Sequence, residues 1–218
     1  MDFIGQALTQ YCEQHSSSES ELLQQLAKET WQKVINPRML SGSLQGAYLK
    51  FISNLVQPRR ILEIGTYTGY SALCLVEGLK ENGELITLEE DDELSYFHQK
   101  YFPQHVKGKL ITTRYGDAKK TMNELDGSFD LIFIDADKQG YLQYWDWCSK
   151  HVSSTGIILI DNVLWNGKVI QPLADKDLDT QVLLELNKAI QENQQFENVL
   201  LPLRDGMMMV KRKDNENH

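Results

Sequence analysis

The hydrophobic residues of this chain fall into short runs, separated by longer stretches with helical spacing. Five apolar runs are candidates for buried strands: 61–64, 85–88, 109–113, 129–134 and 156–160. Four of the five are almost continuously apolar, which is typical of strands buried on both faces. Helices are expected between them, at about 70–80, 92–102, 118–125 and 140–152. This alternation predicts a parallel sheet covered by helices on both sides.

The first 35 residues form a segment of their own in this pattern. Ser18 or Ser20 can cap a helix over about 19–35, because a serine oxygen accepts hydrogen bonds from the free N–H groups of a first helical turn. Pro37 ends that helix. We therefore expect an N-terminal helical segment, residues 1–35, before the α/β core.

The last part of the chain predicts a hairpin. A helix near 177–193 is followed by two apolar runs, 199–203 and 207–210, which the sequence Arg-Asp-Gly joins. Turn residues between two apolar runs are typical of paired antiparallel strands. We expect one domain over 1–218, whose core (36–212) is a doubly wound, mostly parallel, seven-stranded sheet with a C-terminal antiparallel hairpin.

Composition places the chain among folded globular proteins. Of its 218 residues, 41% are hydrophobic, and 22 basic against 31 acidic residues give a net charge of −9. This balance argues against broad neutralisation of a nucleic-acid backbone, although a local basic patch stays compatible with it. Three cysteines without a CxxC pair predict neither a zinc site nor a disulfide framework. With no membrane-length apolar run and no signal peptide, we expect a cytoplasmic protein.

Polar residues gather where the predicted strands end, which is the edge at which open α/β sheets bind ligands. The first strand runs into Gly65 and Gly69, whose GxxxG spacing differs from the GxGxxG of a pyrophosphate binder. These glycines leave room for a ligand close to the backbone, or they only form a tight turn. Glu89 ends the second strand, where an acid can bind ribose hydroxyls. These features favour a nucleoside without a diphosphate, such as S-adenosylmethionine.

Oxygen-bearing side chains also end two neighbouring strands. Asp135 follows the fourth strand, and Asp161 and Asn162 follow the fifth. Oxygen ligands alone indicate a hard divalent cation, Mg²⁺ by availability, with Ca²⁺ or Mn²⁺ as substitutes, whereas a simple Asp-Asn turn is the alternative. Lys138 lies three residues after Asp135. A cation beside this lysine would lower its pKa, so that it could act as a base.

The strings LEIGTYTGYSAL, FDLIFIDADKQGY, IDNVLWNGKV and LPLRDGM together resemble cation-dependent class I O-methyltransferases, the family of the caffeoyl-CoA and catechol O-methyltransferases. The resemblance covers residues 35–212, nearly the whole chain. It implies the Rossmann-like class I methyltransferase fold. It also implies S-adenosylmethionine-dependent transfer of a methyl group to a hydroxyl of a small, catechol-like or caffeoyl-type aromatic. Because the family is commonly dimeric, it implies a homodimer as well.

At matching positions the resemblance implies roles for individual residues. The expected cofactor-binding residues are Met39, Ser41, Glu63, Gly65, Thr66, Tyr67, Ser71, Glu89, Asp117, Ala118 and Asp135. The expected metal ligands are Asp135, Asp161 and Asn162. The expected base is Lys138, and the expected substrate contacts are Asn166 and Trp165. Pro202 stands where the animal catechol enzyme has an acidic pair, which argues against a catechol-specific pocket.

Three other functions stay open at this stage. Bacterial members of the family that modify RNA make a hydroxylated tRNA base an alternative acceptor, although the net charge argues modestly against it. A dinucleotide oxidoreductase would need the missing GxGxxG. A non-enzymatic nucleoside-binding module would have no use for Lys138 beside a set of metal ligands. The sequence leaves open what Asp137 contacts, and whether the N-terminal helix is a dimer contact or a lid.

Overall fold

The structure, a computed structural model, describes residues 5–213. Its seven strands form one sheet: β1 (Arg60–Ile64), β2 (Glu84–Glu89), β3 (Ile111–Tyr115), β4 (Phe129–Ile134), β5 (Val152–Asp161), β6 (Phe196–Leu201) and β7 (Met207–Arg212). Their order across the sheet is β3-β2-β1-β4-β5-β7-β6. The first five strands are parallel, and β7 pairs antiparallel with β5 and β6. The predicted sheet and its C-terminal hairpin are therefore confirmed.

The helices surround this sheet. They are α1 (Gln6–Gln14), α2 (Glu21–Lys33), α3 (Ser43–Val56), α4 (Tyr70–Leu75), α5 (Ser95–Tyr101), α6 (Ala118–Thr121), α7 (Tyr141–His151) and α8 (Leu178–Glu192). Ser20 caps α2, since its side-chain oxygen accepts the N–H of Leu23 at 3.3 Å. Within the residues described, no helix is long and apolar enough to cross a bilayer.

Each face of the sheet is buried against its own hydrophobic cluster. Leu62 and Ile64 of β1 belong to a cluster with α7 and α8. Ile61, which directly precedes Leu62, belongs to the cluster on the other face, with residues of α2, α3, α4 and α5. Since neighbouring side chains of a strand point to opposite faces, burial on both sides requires the continuous apolar runs seen in the sequence.

Several boundaries differ from the sequence expectations. The strand expected from residue 109 begins at Ile111, because Gly108–Leu110 forms a single turn of 3-10 helix. The strand expected from 156 begins at Val152, with a register irregularity against β4. The hairpin strand expected over 199–203 spans Phe196–Leu201. It ends before Pro202, which has no N–H to donate to a ladder.

The helix α1 lies within the expected N-terminal helical segment, although its own bounds were not predicted, and α3 was not predicted at all. The residue before α3 is Gly42, which provides no side-chain cap. Gly46 lies in the first turns of α3 and is a weak helix former. The helix therefore begins without the serine, threonine or aspartate signal that marks a helix start in a sequence.

Candidate functional site

A cleft of about 830 Å³ lies beyond the carboxyl ends of β1 to β5. Most of the predicted site residues line it: Met39, Ser41, Gly65, Thr66, Tyr67, Ser71, Glu89, Asp117, Ala118, Asp135, Lys138, Asp161 and Asn162. Glu63, Trp165 and Asn166 are not part of this lining. The strand-end rule therefore brings together most of the residues chosen from sequence, while their individual roles stay predictions.

The two glycines of the loop after β1 do not leave empty space beside the backbone. A Cβ on Gly65 would lie 1.9 Å from the carbonyl oxygen of Asp135, and a Cβ on Gly69 would lie 2.4 Å from the ring of Phe102. Both glycines also have positive φ angles, 99° and 91°. Protein atoms therefore occupy the position of a side chain at both glycines, while Gly65 still lines the cleft and its contact with a ligand stays a prediction. The glycines permit the turn and the close approach of β1 to β4.

Glu89 is held at the end of β2 by backbone donors. Its carboxylate oxygens accept the N–H of Tyr67 at 2.6 Å and the N–H of Asp91 at 3.0 Å. Burial raises the pKa of Glu89, and the two N–H groups act in the opposite direction. The orientation of this acid toward the cleft is thus fixed by the loop that also contains Gly65.

His98 holds the same loop by a hydrogen bond to its backbone. Its Nε2 lies 2.7 Å from the carbonyl oxygen of Tyr67, and its Nδ1 lies 2.8 Å from the hydroxyl of Tyr115. Because a carbonyl can only accept, Nε2 must carry the proton, and Nδ1 can accept from Tyr115. Burial lowers the pKa of His98, which favours this neutral form. Nothing in the spacing of the histidines marks His98 as part of the site.

Glu63 lies beneath the cleft rather than in it. It has no exposed surface, and its Oε2 accepts the hydroxyl of Thr87 at 2.5 Å. Thr66, a cleft residue, shares a hydrogen bond of 2.5 Å with the same threonine hydroxyl. Burial is the main cause that raises the pKa of Glu63, to about 8. The carboxyl group is therefore mostly protonated at neutral pH.

We expect Glu63→Gln to change how stability depends on pH. The pKa of Glu63 is about 8 in the folded protein and 4.5 as its ordinary value. The unfolded chain thus loses this proton first, and the native state loses stability as the pH rises from about 4.5 to 8. Glutamine cannot ionise. The variant should gain roughly 2–4 kcal/mol over wild type between pH 5 and pH 8 in urea unfolding. Parallel pH profiles for the two proteins would contradict this.

Asp135 and Asn162 contact the amine of Lys138, and Asp161 lines the same cleft beside them. The Nζ atom lies 3.2 Å from Oδ1 of Asp135 and 2.5 Å from Oδ1 of Asn162. It also donates to the hydroxyl of Tyr141 at 2.7 Å. Burial and the charge of Asp135 raise the pKa of Asp161, which shows that the two carboxylates act on each other. Oxygens of Asp135, Asn162 and Tyr141 thus already surround a positive charge.

This donor set fits a hard divalent cation. It consists of two carboxylates and one amide oxygen, and oxygen ligands are what Mg²⁺, Ca²⁺ and Mn²⁺ prefer. Across residues 5–213, no group of three or more histidine, cysteine, aspartate or glutamate side chains could hold a metal ion. The convergence of Asp135, Asp161 and Asn162 depends on an asparagine as its third member.

The predicted substrate residues lie on a bent loop beside Lys138. Trp165 and Asn166 both have left-handed backbone, with φ angles of 47° and 51°. The N–H of Asn166 donates to the carboxylate of Asp205. The ring of Trp165 lies 5.7 Å from Nζ of Lys138 although it is outside the cleft lining. Their contact with a substrate stays a prediction.

A family model described as O-methyltransferase matches residues 13–213. The chain belongs to the O-methyltransferase family. Caffeoyl-CoA O-methyltransferase 1 of Eucalyptus globulus is 32% identical over 203 residues, which cover 88% of this chain and 80% of that protein. The probable caffeoyl-CoA O-methyltransferase 2 of Dictyostelium discoideum is 26% identical and covers 94% of this chain and 90% of that protein.

Solved structures of O-methyltransferases have the same fold. The SAH-bound methyltransferase PaMTH1 of Podospora anserina is 32% identical, with a TM-score of 0.86, and covers 95% of this chain and 94% of that one. The O-methyltransferase of Bacillus cereus in complex with SAH is 27% identical, also with a TM-score of 0.86, and covers 95% and 97%. The resemblance expected from the sequence is thereby confirmed, and so is the fold class.

The site of this O-methyltransferase contains residues that the sequence did not single out. Asp137, whose partners were left open, accepts the hydroxyl of Tyr144 and pairs with Lys119 at 3.0 Å. Tyr141 was also missed, although it follows Lys138 by three residues, a spacing that brings side chains together on a helical turn. Gln45 is the third such residue, and no local signal could have found it.

Proposed function

We propose that this enzyme transfers a methyl group from S-adenosylmethionine to a hydroxyl of a small aromatic acceptor, with a divalent cation, Mg²⁺ by availability. The observation that carries the proposal is the convergence of Lys138 with Asp135, Asp161 and Asn162 in the cleft lining. The SAH-bound structures support the donor. The relatives named caffeoyl-CoA O-methyltransferase support a catechol-like or caffeoyl-type acceptor.

The nucleoside part of the donor is assigned to the ends of β2 and β3. Glu89 accepts ribose hydroxyls there, because each of its oxygens keeps a lone pair beside the one used by the backbone. Asp117 caps α6, with Oδ1 accepting the N–H of Lys119 at 2.9 Å. The N–H of Ala118, in the first turn of that helix, is the group we assign to the adenine ring.

The methionine part lies toward the ends of β1 and β4. Gly65 and Thr66 contribute the loop after β1, and Met39 and Ser41 cover it from the segment before α3. Asp135 lies between this region and Lys138. We therefore assign the methyl group to the space beside Asp135 and Lys138.

Lys138 acts on the acceptor hydroxyl in this proposal. Asp135, Asp161 and Asn162 would hold the divalent cation, which would supply the positive charge that lowers the pKa of a nearby hydroxyl. Lys138 takes the hydroxyl proton onto Nζ, while Tyr141 positions the amine. The acceptor oxygen forms a bond to the methyl carbon as the carbon–sulfur bond breaks, and SAH leaves as a neutral thioether. Alignment of oxygen, carbon and sulfur accounts for the remaining acceleration.

The deciding experiment is a methyl-transfer assay over catechols, caffeoyl-type CoA esters and tRNA, with and without a chelator. We expect methylation of a catechol or caffeoyl acceptor that stops with the chelator and returns with added Mg²⁺. Activity after complete metal removal would contradict the cation-dependent mechanism. Methylation of tRNA alone would replace the proposed acceptor class and keep the proposed chemistry.

We further propose a homodimer. Phe51 and Leu55, one turn apart on α3, are 64% and 67% exposed, and Leu8 and Tyr11 of α1 are also exposed. Apolar side chains in such numbers on neighbouring helices are typical of a surface that a partner covers. Light scattering should give twice the mass of the chain, and a monomer at micromolar concentration would refute the dimer.

The compartment follows from the cysteines in this proposal. Cys12, Cys74 and Cys148 are all unpaired, and the last two are buried. Free thiols persist in reducing compartments, which supports a cytoplasmic enzyme. Fractionation of cells that express the chain with a tag tests this, and recovery outside the cytoplasmic fraction would contradict it.

A further inference from the structure

Gln45 is a buried amide between two charged groups of the site. Its side chain has no exposed surface. Nε2 donates to Oδ2 of Asp161 at 2.6 Å, and Oε1 accepts from Nη1 of Arg204 at 2.7 Å. The same Arg204 nitrogen donates to the backbone carbonyl of Ser41. A continuous set of hydrogen bonds therefore connects the segment before α3 with the end of β5.

The chemistry of the three side chains fixes the direction of these bonds. A guanidinium can only donate, so Arg204 turns the oxygen of the Gln45 amide toward itself. The NH₂ group of Gln45 must then face Asp161. The other oxygen of Asp161 accepts the N–H of Asn162 at 2.7 Å. Both oxygens of Asp161 are thus held by protein donors, and each keeps a lone pair for a cation.

The hydrogen bond from Arg204 to Ser41 also connects Gln45 with the cleft. Ser41 and Arg204 line the donor cleft together with Asp161. A donor that contacts Ser41 or Arg204 is therefore connected to the amide of Gln45 by one set of hydrogen bonds. Two binding events that order the same groups assist each other, and the assistance is reciprocal.

We propose that Gln45 is a positioning residue for Asp161, and that it couples binding of the methyl donor to binding of the divalent cation. This inference rests on the proposed function, because it requires a cation at Asp161. Donors that orient a metal ligand typically contribute 10- to 100-fold to metal affinity. Gln45 acts through Asp161 and contacts neither the acceptor nor the reacting atoms.

The test is a titration with Mn²⁺, followed by electron paramagnetic resonance of the free ion, in the absence and presence of SAH. Gln45→Met removes both hydrogen bonds at similar volume. We expect it to weaken Mn²⁺ binding about 10- to 100-fold and to abolish the tightening of Mn²⁺ by SAH, while SAH alone binds as in wild type.

Ser53→Ala is the matched control on the same helix. Ser53 is fully buried, and its hydroxyl donates to the carbonyl of Leu75 at 2.5 Å, away from the cleft. It should lower stability and leave Mn²⁺ affinity unchanged. Arg204→Met provides a second variant, which is informative even if Gln45→Met does not fold. Arg204→Met should also weaken Mn²⁺ binding. Because both residues act through the same hydrogen bonds, the double variant should bind Mn²⁺ as tightly as the single variant with the lower Mn²⁺ affinity.

The outcomes separate this inference from the function on which it rests. If wild type binds no Mn²⁺, the proposed cation dependence fails, and the role of Gln45 fails with it. If wild type binds Mn²⁺ and both Gln45→Met and Arg204→Met bind it equally well, only the inference is overturned. Equal SAH-induced tightening in wild type and Gln45→Met would overturn the coupling.

Discussion

Replacing Lys138 by alanine is expected to lower the turnover number by about 10²- to 10⁴-fold, the range that general-base catalysis contributes. The amine of Lys138 contacts oxygens of Asp135 and Asn162, and in the proposed mechanism it takes the proton of the acceptor hydroxyl. The substitution would then remove the proton acceptor and leave the residues proposed to bind the nucleoside intact. The turnover number at saturating S-adenosylmethionine and the SAH affinity by calorimetry measure the two effects separately, and SAH affinity should stay near the wild-type value.

The cleft offers a matched lysine as a control for this variant. Lys119 also lines the cleft, and its amine pairs with Asp137 at 3.0 Å. Lys119→Ala removes the same charge without touching Asp135 or Asn162, so turnover should change only slightly. Lys138→Arg should stay as inactive as Lys138→Ala, because a guanidinium does not give up its proton in proteins. Near-normal turnover in Lys138→Ala would remove this residue from the mechanism.

The sheet could be predicted because its signal is local. Burial on both faces demands uninterrupted apolar strands, and four of the five parallel strands contain such a run, whereas β3 lies at the edge of the sheet and does not. The helix α3 could not, because Gly42 supplies no cap and Gly46 lies in its first turns. What holds α3 in place is tertiary packing, as with Leu49, which is fully buried. Packing of this kind outweighs the poor helix propensity of glycine and the missing cap, which are what a local window shows at the start of α3.

In the site, too, residues with a local sequence signal could be predicted, and partners from distant parts of the chain could not. Residues at strand ends were found, since parallel strands bring their carboxyl ends to one edge. The partners that orient them come from distant parts of the chain, as with Gln45 and Asp161, which are 116 positions apart. The two loop glycines show a further limit. A glycine in the sequence indicates that a Cβ would not fit at that position. Only the structure shows that the atoms a Cβ would meet belong to Asp135 and Phe102.

Replacing Asp161 by asparagine is expected to move stability and activity in opposite directions. Asp161 is 2% exposed, and its burial together with the charge of Asp135 raises its pKa. An ionised carboxylate is therefore costly there without a cation. Asparagine removes the charge and keeps one oxygen that can accept from Gln45, but its NH₂ group cannot accept the N–H of Asn162, and the loss of that hydrogen bond offsets part of the gain. We expect the metal-free variant to be about 1–2 kcal/mol more stable than wild type at neutral pH, which is roughly 2–8 °C in Tm.

The extra stability of Asp161→Asn over wild type should depend on pH in a direction that can be checked. Because the folded pKa of Asp161 is raised, wild type loses stability relative to the variant as the pH rises above the ordinary value of 3.8. The advantage of Asp161→Asn in chelator should therefore be small near pH 4 and larger at pH 7. Thermal unfolding at the two pH values measures it, and an advantage that shrinks with rising pH would contradict the argument.

The cation should reverse that order of stability. In the proposed site a divalent ion would bind the two carboxylates and Asn162 of wild type, so added Mg²⁺ should raise the wild-type Tm and restore methyl transfer after chelator treatment. Asp161→Asn loses one of the two charges that attract the ion, and neither its Tm nor its activity should respond to the same Mg²⁺ concentration. Asp137→Asn is the control, because Asp137 lines the cleft but is engaged by Lys119 and Tyr144. A response to Mg²⁺ in Asp161→Asn equal to that of wild type would remove Asp161 from the proposed ligands.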